Sequence, residues 1–298
     1  MSMKTLNFGS MNLDYVYLVD HFVQAGETIS ASSQSVKAGG KGLNQSIALA
    51  RAGTEVWHAG CVGQGGEPLQ ALLKANGVHD EYLRRVETLQ GNAVIQVNQS
   101  GENCILLFGG SNQCITEEQI SDTLSNFSAG DWLVMQNEVN LPDELVEQAA
   151  AKGLKIALNP SPCNEKLHAV DFNKLTWILM NEIEAEQLTG SAEPEKAWKI
   201  LHQKYPRLSV LVTLGGAGSM AWSVQQDFIA ACRQEAFPVC AVDTTAAGDT
   251  YTGYFLCGLM AGLPLRDCMR RAAKAAAIAV TKPGAAESIP TRDQVDAD

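Results

Sequence analysis

Two glycine-bearing segments have the residue types and spacing for phosphoryl chemistry on a hydroxyl. The first is Asp243-Thr244-Thr245-Ala246-Ala247-Gly248-Asp249-Thr250, which runs into a helical pattern over 251–260. Small residues ahead of a helix present free backbone N–H groups, and the helix dipole adds positive potential there. A phosphoryl group gaining negative charge is stabilised by such donors. Asp249 sits in the same turn, where the plainer reading is a helix cap, a common role for Asp. The second segment is Ala38-Gly39-Gly40-Lys41-Gly42-Leu43-Asn44, ahead of a helical pattern over 45–52 that stops at Gly53. Its glycines allow close backbone approach to a ligand. The Asn44 amide can both donate to and accept from a hydroxyl. The plainer alternative is a glycine-rich turn entering a helix.

Other chemistries find little support. The chain has no GxxxxGK[ST] and no GxGxxG opening a helix after the first strand, which disfavours a P-loop enzyme and a dinucleotide reader. None of the eight cysteines has CxxC spacing and there is no HExxH, so a zinc site or redox pair is not indicated. Reduced thiols in a cytoplasmic protein are the expectation. A net charge of −11 repels nucleic-acid phosphates and anionic membranes, so neither is expected as a partner. The N-terminus lacks the apolar stretch of a signal peptide, and no window approaches the roughly 18 apolar residues of a membrane span.

The elements that must carry these segments alternate. Short apolar runs over 55–62, Trp132–Gln136, 154–158, 176–180 and 209–214 read as buried strands. Between them, 67–76 has Pro68 near its start and Gly77 after its end, and 141–152 starts at Pro142 and stops at Gly153. Thr116 followed by Gln119 reads as a capping box. This rhythm implies βαβ units and a mainly parallel sheet. Charged residues are only 18% of the chain, against roughly 25% in typical soluble domains, which suits a sheet covered on both faces. Two stretches break the rhythm. Residues 92–98 and 103–108 flank Gln99-Ser100-Gly101-Glu102 as a hairpin, and 14–37 is extended. They predict a small antiparallel sheet standing off the main domain, and a second hairpin is expected over 220–229. The alanine-rich helix over 266–280 reads as a close-packing element.

In combination, the two glycine segments resemble the paired signatures of the ribokinase-like (PfkB) carbohydrate kinases. The run from Gly39 through Asn44 and Gly53 to Gly63 keeps the sugar-loop spacing, and the second segment ends in Gly248-Asp249. Gly9-Ser10-Met11-Asn12-Leu13-Asp14, Asn181-Glu182-Ile183-Glu184, Thr213-Leu214-Gly215-Gly216-Ala217-Gly218 and the segment 281–290 extend the likeness over nearly the whole chain, closest to the ribokinase branch. The resemblance implies an α/β fold, a Rossmann-type three-layer sandwich with a mainly parallel central sheet and a small antiparallel β lid. It implies one domain over 1–298, with the lid formed from about 12–37 and 90–110.

It also implies an ATP-dependent kinase for a ribose-like sugar, with Asp249 as base and the amides of Ala246, Ala247 and Gly248 as anion hole. Asn12, Asp14, Gly40, Lys41, Asn44 and Glu138 take the sugar-contacting positions. Asn181 and Glu184 would position Mg²⁺ and the phosphates, and Thr213, Gly215 and Gly218 the nucleotide. K⁺ would lie at Asp243, Thr245, Ala279, Lys282, Gly284 and Ser288, and the lid would pair with a second copy in a homodimer. Each residue has a plainer alternative: a turn cap for Asp14 and Asp243, a surface charge for Glu138, a helix start for Asn181 and Glu184, a strand end for Thr213. Tyr254, Asn137 and Phe108 depart from the family pattern: the bulk of Tyr254 bears on packing behind the anion hole, and Asn137 and Phe108 leave the sugar open. Alternatives are a kinase for another sugar, a sugar acid or a nucleoside, or a non-catalytic sugar- or nucleotide-binding regulator on the same fold.

Overall fold

Apolar runs buried on both sides and amphipathic helices between them build a layered α/β structure. The computed structural model describes residues 3–225 and 228–297. The chain opens with β1 (Thr5–Phe8), β2 (Asn12–Leu18), β3 (Ser33–Gly39), α1 (Lys41–Ala52), β4 (Val56–Gln64), α2 (Glu67–Ala75) and β5 (His79–Leu89). Then come β6 (Asn92–Val97), β7 (Asn103–Phe108), α3 (Glu117–Leu124), β8 (Trp132–Gln136), α4 (Pro142–Ala151), β9 (Lys155–Asn159), β10 (Trp177–Asn181), α5 (Glu182–Thr189) and α6 (Pro194–Lys204). It closes with β11 (Ser209–Thr213), β12 (Ser219–Gln225), β13 (Phe228–Gln234), α7 (Ala247–Met260), α8 (Leu265–Val280) and α9 (Arg292–Asp296).

The central sheet has the order β13-β12-β11-β10-β9-β8-β1-β4-β5. It is parallel from β5 to β11, and the β12–β13 hairpin adds an antiparallel edge. The hairpin's turn, at 226–227, lies outside the described residues. Strands such as β8 are buried at every position, as expected of a sheet covered on both faces. One apolar layer joins the sheet to α1, α2, α7, α8 and α9; the other joins it to α3, α4, α5 and α6. Strand order reverses between β1 and β8, and the loops after these two strands open the crevice where ligands of such sheets bind.

The two stretches that break the rhythm form a separate sheet of order β3-β2-β6-β7. Its outer pairs are antiparallel, but the inner pair, β2 and β6, runs parallel. The lid is antiparallel within each of its two hairpin-like units, as expected, and the units meet side by side with their first strands aligned. Thr116 caps α3 by accepting from the Gln119 amide, but the Gln119 side chain turns inward and donates to the Gly60 carbonyl oxygen (2.7 Å). The box is therefore half made.

Both glycine-bearing segments enter their helices earlier than sequence periodicity indicates, at Lys41 and Ala247. Gly40, at φ 93, turns the chain into α1, and a side chain there would meet the Asn12 amide nitrogen at 2.9 Å. Helices α1 and α7 pack so closely that a Cβ on Gly253 would stand 2.4 Å from the Ala48 Cβ. Ala at this position gains roughly 1 kcal/mol of helix propensity, against an overpacking cost of about 1–3 kcal/mol. We expect Gly253→Ala to lower the urea midpoint of unfolding; an equal or higher midpoint would show that the helices can spread without cost.

Candidate active site

The helix N-termini of α1 and α7 meet at the carboxyl end of the central sheet and are treated differently. In α1 the first three amides are all satisfied: Lys41 N–H donates to Glu138 Oε2 (2.9 Å), Gly42 N–H to Ser10 Oγ (3.3 Å) and Leu43 N–H to the Ser10 carbonyl oxygen (2.8 Å). Ser10 follows β1 and Glu138 follows β8, so the strand-order reversal delivers both acceptors to one helix end. The Ser10 hydroxyl also donates to the Glu138 carboxylate. Glu138 is thus no surface charge. Burial raises its pKa, against the pull of Lys41 and the Ser10 hydrogen bond.

In α7, Ala246 takes the left-handed conformation (φ 59), which is strained for a residue with a Cβ. The Ala247 N–H donates back to the Thr244 carbonyl oxygen (3.2 Å), so of the three amides expected to form an anion hole this one is engaged. The amides of Ala246 and Gly248, and also of Asp249, have no protein acceptor among the described residues. Asp249 does not cap α7. Its carboxylate instead accepts from Asn44 Nδ2 (3.0 Å) and Gln45 Nε2 (2.9 Å), both on α1. Gln45 was not singled out from sequence; directly after Asn44 in a helix, it reads as an interior residue until the partner helix is placed.

Two clefts are lined by residues of these segments and their neighbours. One, of about 220 Å³, is lined by Lys41, Asn181, Glu184, Thr213, Gly248 and Asp249, among others. The other, of about 230 Å³, is lined by Asn12, Phe108, Asn112, Asn137, Glu138 and Lys166, among others, with the lid strand β7 as an apolar wall. Lys41 lines the first, and its amide is tied to Glu138 of the second. Burial works against its charge, but the carboxylates of Asp249, Glu138 and Glu184 outweigh it and hold its pKa above the ordinary lysine value.

The remaining residues sort by geometry. Asn12 is buried and accepts from Asn112 Nδ2 (2.7 Å), a partner that sequence did not reveal. Asp14 lies on the lid against Gly39 and caps no turn. Asn181 and Glu184 form a reciprocal capping box on α5: Glu184 N–H donates to Asn181 Oδ1 (2.8 Å) and Asn181 N–H to Glu184 Oε2 (3.0 Å). The second Glu184 carboxylate oxygen has no donor among the described residues. Gly215 and Gly218 follow β11 but do not line the cleft; Gly218 is required because a Cβ would meet the Gln234 carbonyl oxygen at 2.0 Å.

Asp243 joins two loops. It accepts from the Thr245 amide (2.9 Å) and hydroxyl (2.6 Å) on one oxygen and from the Gly284 amide (2.9 Å) on the other. Burial pushes its pKa up, but these hydrogen bonds outweigh it and leave the carboxyl below its usual range. The amides of Val242 and Asp243 donate to the Val280 carbonyl oxygen (2.7 and 3.2 Å), which sets Asp243 at the end of α8, where the Lys282 amide turns back to the Ala279 carbonyl oxygen (3.1 Å). Ser288 is buried with its hydroxyl donated to Ala285. Tyr254, one of the departures, reaches away from the clefts to donate to the Pro290 carbonyl oxygen (2.8 Å). Asn137 is tied to Asn164 Oδ1 (3.0 Å) and the Pro162 carbonyl oxygen (2.6 Å). Among the described residues no three His, Cys, Asp or Glu side chains cluster as a metal site, and no helix is long and apolar enough to cross a membrane.

A family profile described as "pfkB family carbohydrate kinase" matches residues 4–292. The chain belongs to the pfkB family of carbohydrate kinases. It is 36% identical to a ribokinase of Haemophilus influenzae, over 98% of this chain and 97% of that protein. The solved ribokinase of Cryptococcus neoformans in complex with ADP superposes with a TM-score of 0.85 at 33% identity, covering 99% of each chain. An Arabidopsis thaliana ribokinase complexed with ribose and ATP gives a TM-score of 0.85 at 28% identity, covering 99% of this chain and 98% of the other. The chain is thus a phosphotransferase of the type that uses an alcohol as acceptor, and the family's sugar-loop and Gly-Asp segments are the two whose helix ends meet here.

Burial, and then the nearby Glu138 carboxylate, push the Asp14 pKa up to about 7, with Lys37 opposing. A carboxyl that holds its proton more tightly when folded stabilises the fold below its unfolded pKa near 3.8 and loses that contribution as pH rises to about 7. Relative to Asp14→Asn, the wild-type chain is expected to lose unfolding free energy between about pH 4 and 7 and to level off above; a difference that stays constant with pH would exclude this titration.

Proposed function

We propose that the chain transfers the γ-phosphoryl group of ATP to a hydroxyl of ribose. The observation that carries this reading is the setting of Asp249 in the first cleft beside Lys41, whose amide is tied to Glu138 of the second. A carboxylate held between two amide donors faces a cleft whose wall includes backbone N–H groups with no protein acceptor. Ribose sits on this reading in the cleft of Asn12 and Glu138, under the lid and near Asp14, Gly40 and Asn44. Side-chain carboxylates and amides suit a polyol because each takes part in several hydrogen bonds with hydroxyls. ATP lies in the cleft of Asn181, Glu184 and Thr213, its phosphates towards α7.

Asp249 takes the proton of the attacking hydroxyl as the oxygen begins to bond to phosphorus. The Ala246 and Gly248 amides and the α7 dipole stabilise the charge gathering on the transferred group. Lys41 supplies a positive charge between donor and acceptor. Mg²⁺ fits a site at Glu184 and Asn181, since the unpaired Glu184 carboxylate oxygen offers a hard donor and this ion keeps several waters; when bound it neutralises phosphate charge. K⁺ fits the junction tied by Asp243, with the carbonyls of Thr245, Ala279, Lys282 and Gly284 as donors. The Ser288 hydroxyl is committed elsewhere, so this residue would contribute its carbonyl. Free thiols at all eight cysteines agree with work in the cytoplasm.

Relatives named ribokinase, at 31–36% identity, favour ribose over deoxyribose, sugar acids or nucleosides. ADP release with MgATP across a panel of these acceptors, with and without K⁺, tests the reading, with Asp249→Asn run beside the wild type. Ribose should be strongly preferred, K⁺ should raise the rate, and Asp249→Asn should lower kcat by at least about 10²-fold. A wild type that ignores ribose, or a variant of near-normal turnover, would overturn the substrate or the base respectively.

The lid also supports a homodimer. Asp14, Ala93 and Leu107 are cross-strand neighbours, and Val16, Ile95 and Ile105 form the next row on the same face. Ile105 is 52% exposed, and β7 is exposed along its whole length. An apolar edge strand of this kind is a liability unless another chain covers it. Light scattering should give a dimer for the wild type and a monomer for Ile105→Asp; two dimers, or two monomers, would remove the lid from the interface.

A further inference from the structure

We infer that Gln45, aligned by Gln136, is a positioning residue that holds the Asp249 carboxylate as a hydrogen-bond acceptor aimed at the substrate hydroxyl. The inference rests on Asp249 being the base and concerns what stands behind it. Gln45 Nε2 donates to Asp249 Oδ1 (2.9 Å), and Gln45 Oε1 accepts from Gln136 Nε2 (2.7 Å). The same Gln136 nitrogen donates to Asn7 Oδ1 (3.0 Å). Asn7 Nδ2 donates to Ser46 Oγ (2.7 Å) and to the Gly42 carbonyl oxygen (2.8 Å). Ser46 Oγ lies 2.7 Å from His58 Nδ1. Gln45, Gln136, Asn7, Ser46 and His58 are all fully buried, on α1, β8, β1, α1 and β4.

The direction of each bond in this chain is determined by its neighbours. Both contacts of Gln136 are to carbonyl oxygens, so its nitrogen must face them, and its own oxygen is left buried with no donor. Such an orphan is rare and costly in a folded protein. Since Gln45 Oε1 is occupied by that donor, its nitrogen must face Asp249. At the far end, Ser46 accepts from Asn7 and therefore has its hydroxyl hydrogen free for His58 Nδ1. Burial lowers the His58 pKa to about 4, so the ring is neutral and can accept. The donors thus run outward from Gln136, one arm through Asn7 and Ser46 to His58 and the other through Gln45 to a carboxylate that can only accept. Hydrogen bonds to the charged form favour that form, and a base must be ionised before it can take a proton.

The charged groups facing Asp249 are Lys41 at the start of α1, Glu138 after β8 and, across Lys41, Glu184 on α5. None of them touches Gln45 in the hydrogen bonds described above. Substitutions along the chain should therefore act on Asp249 without altering the charges around it.

The experiment is the pH dependence of ribose phosphorylation by the full chain, with the neutral variants Gln45→Met and Gln136→Met against wild type. Gln45→Met removes the donor. Gln136→Met removes the donor that aligns the Gln45 amide and adds no charge. Both should lower kcat, Gln45→Met by about tenfold or more, the scale of a hydrogen bond to a charged group. The ribose KM should stay within about threefold, because the loss falls on the reacting group, and the acid limb of kcat should move up by about one pH unit. An unmoved acid limb, or a loss confined to KM, would overturn the inference even where kcat falls. Should Gln45→Met fail to unfold cooperatively, Gln136→Met decides alone. A readout free of turnover separates this from the assignment of function: the Gln45 side-chain amide resonance should titrate with pH in wild type and lose that titration in Asp249→Asn. A resonance that ignores both overturns the inference whether or not ribose is the substrate.

Discussion

The hydrogen bonds from Asn44 and Gln45 to Asp249 join residues 205 and 204 positions apart in the chain and tie α1 to α7. Much of the structure serves to make them possible. One turn further along, Gly253 lies against Ala48, and the absence of a side chain there lets the two helices approach. A carboxylate buried among neutral amides is stable only when its lone pairs are satisfied, so the separation of the helices and the ionisation of Asp249 are one problem with one solution. The sheet contributes by ending β1 and β8 beside the same helix, where Ser10 and Glu138 take up the amides that α1 leaves open.

Electrostatics divides the labour between the two helix ends. The α1 terminus is satisfied by the protein's own acceptors, including the charge on Glu138, so its dipole stabilises structure. The α7 terminus keeps amides without protein acceptors, and the strained Ala246 turns the chain into it. The chain carries a net charge of −11, and Lys41 is the cation among the carboxylates of Asp249, Glu138 and Glu184 at this end of the sheet. Backbone donors are well suited to a polyanion, because they carry no counter-charge and need no reorganisation.

The lid follows a different physics. Its apolar strands stand away from the core and leave β7 exposed, which an isolated sheet tolerates poorly. The same sheet carries Asn12 into the lining of the second cleft and Asp14 near the Glu138 carboxylate.

Much of this was legible in the sequence. Buried strands announce themselves as apolar runs because a parallel sheet has no polar face, and the strands over 132–136 and 209–213 fall where those runs lie. Glycine, proline and Asp-rich punctuation marked helix ends, and two short motifs marked the chemistry, because glycine and a helix start act locally. What stayed hidden depends on contacts across the chain. The parallel pairing of β2 with β6 and the inward turn of Gln119 both depend on neighbours outside their own segments. So does the buried row from His58 to Gln45. Asn7, Gln45, Gln136 and His58 look like ordinary polar residues scattered in apolar segments. The sequence alone determined which elements form and which residue types stand at their ends, since those follow from local periodicity and backbone freedom. Only the tertiary structure decided which of those ends meet and which buried polar groups pair, because a hydrogen bond across a core depends on packing distances that no single segment encodes.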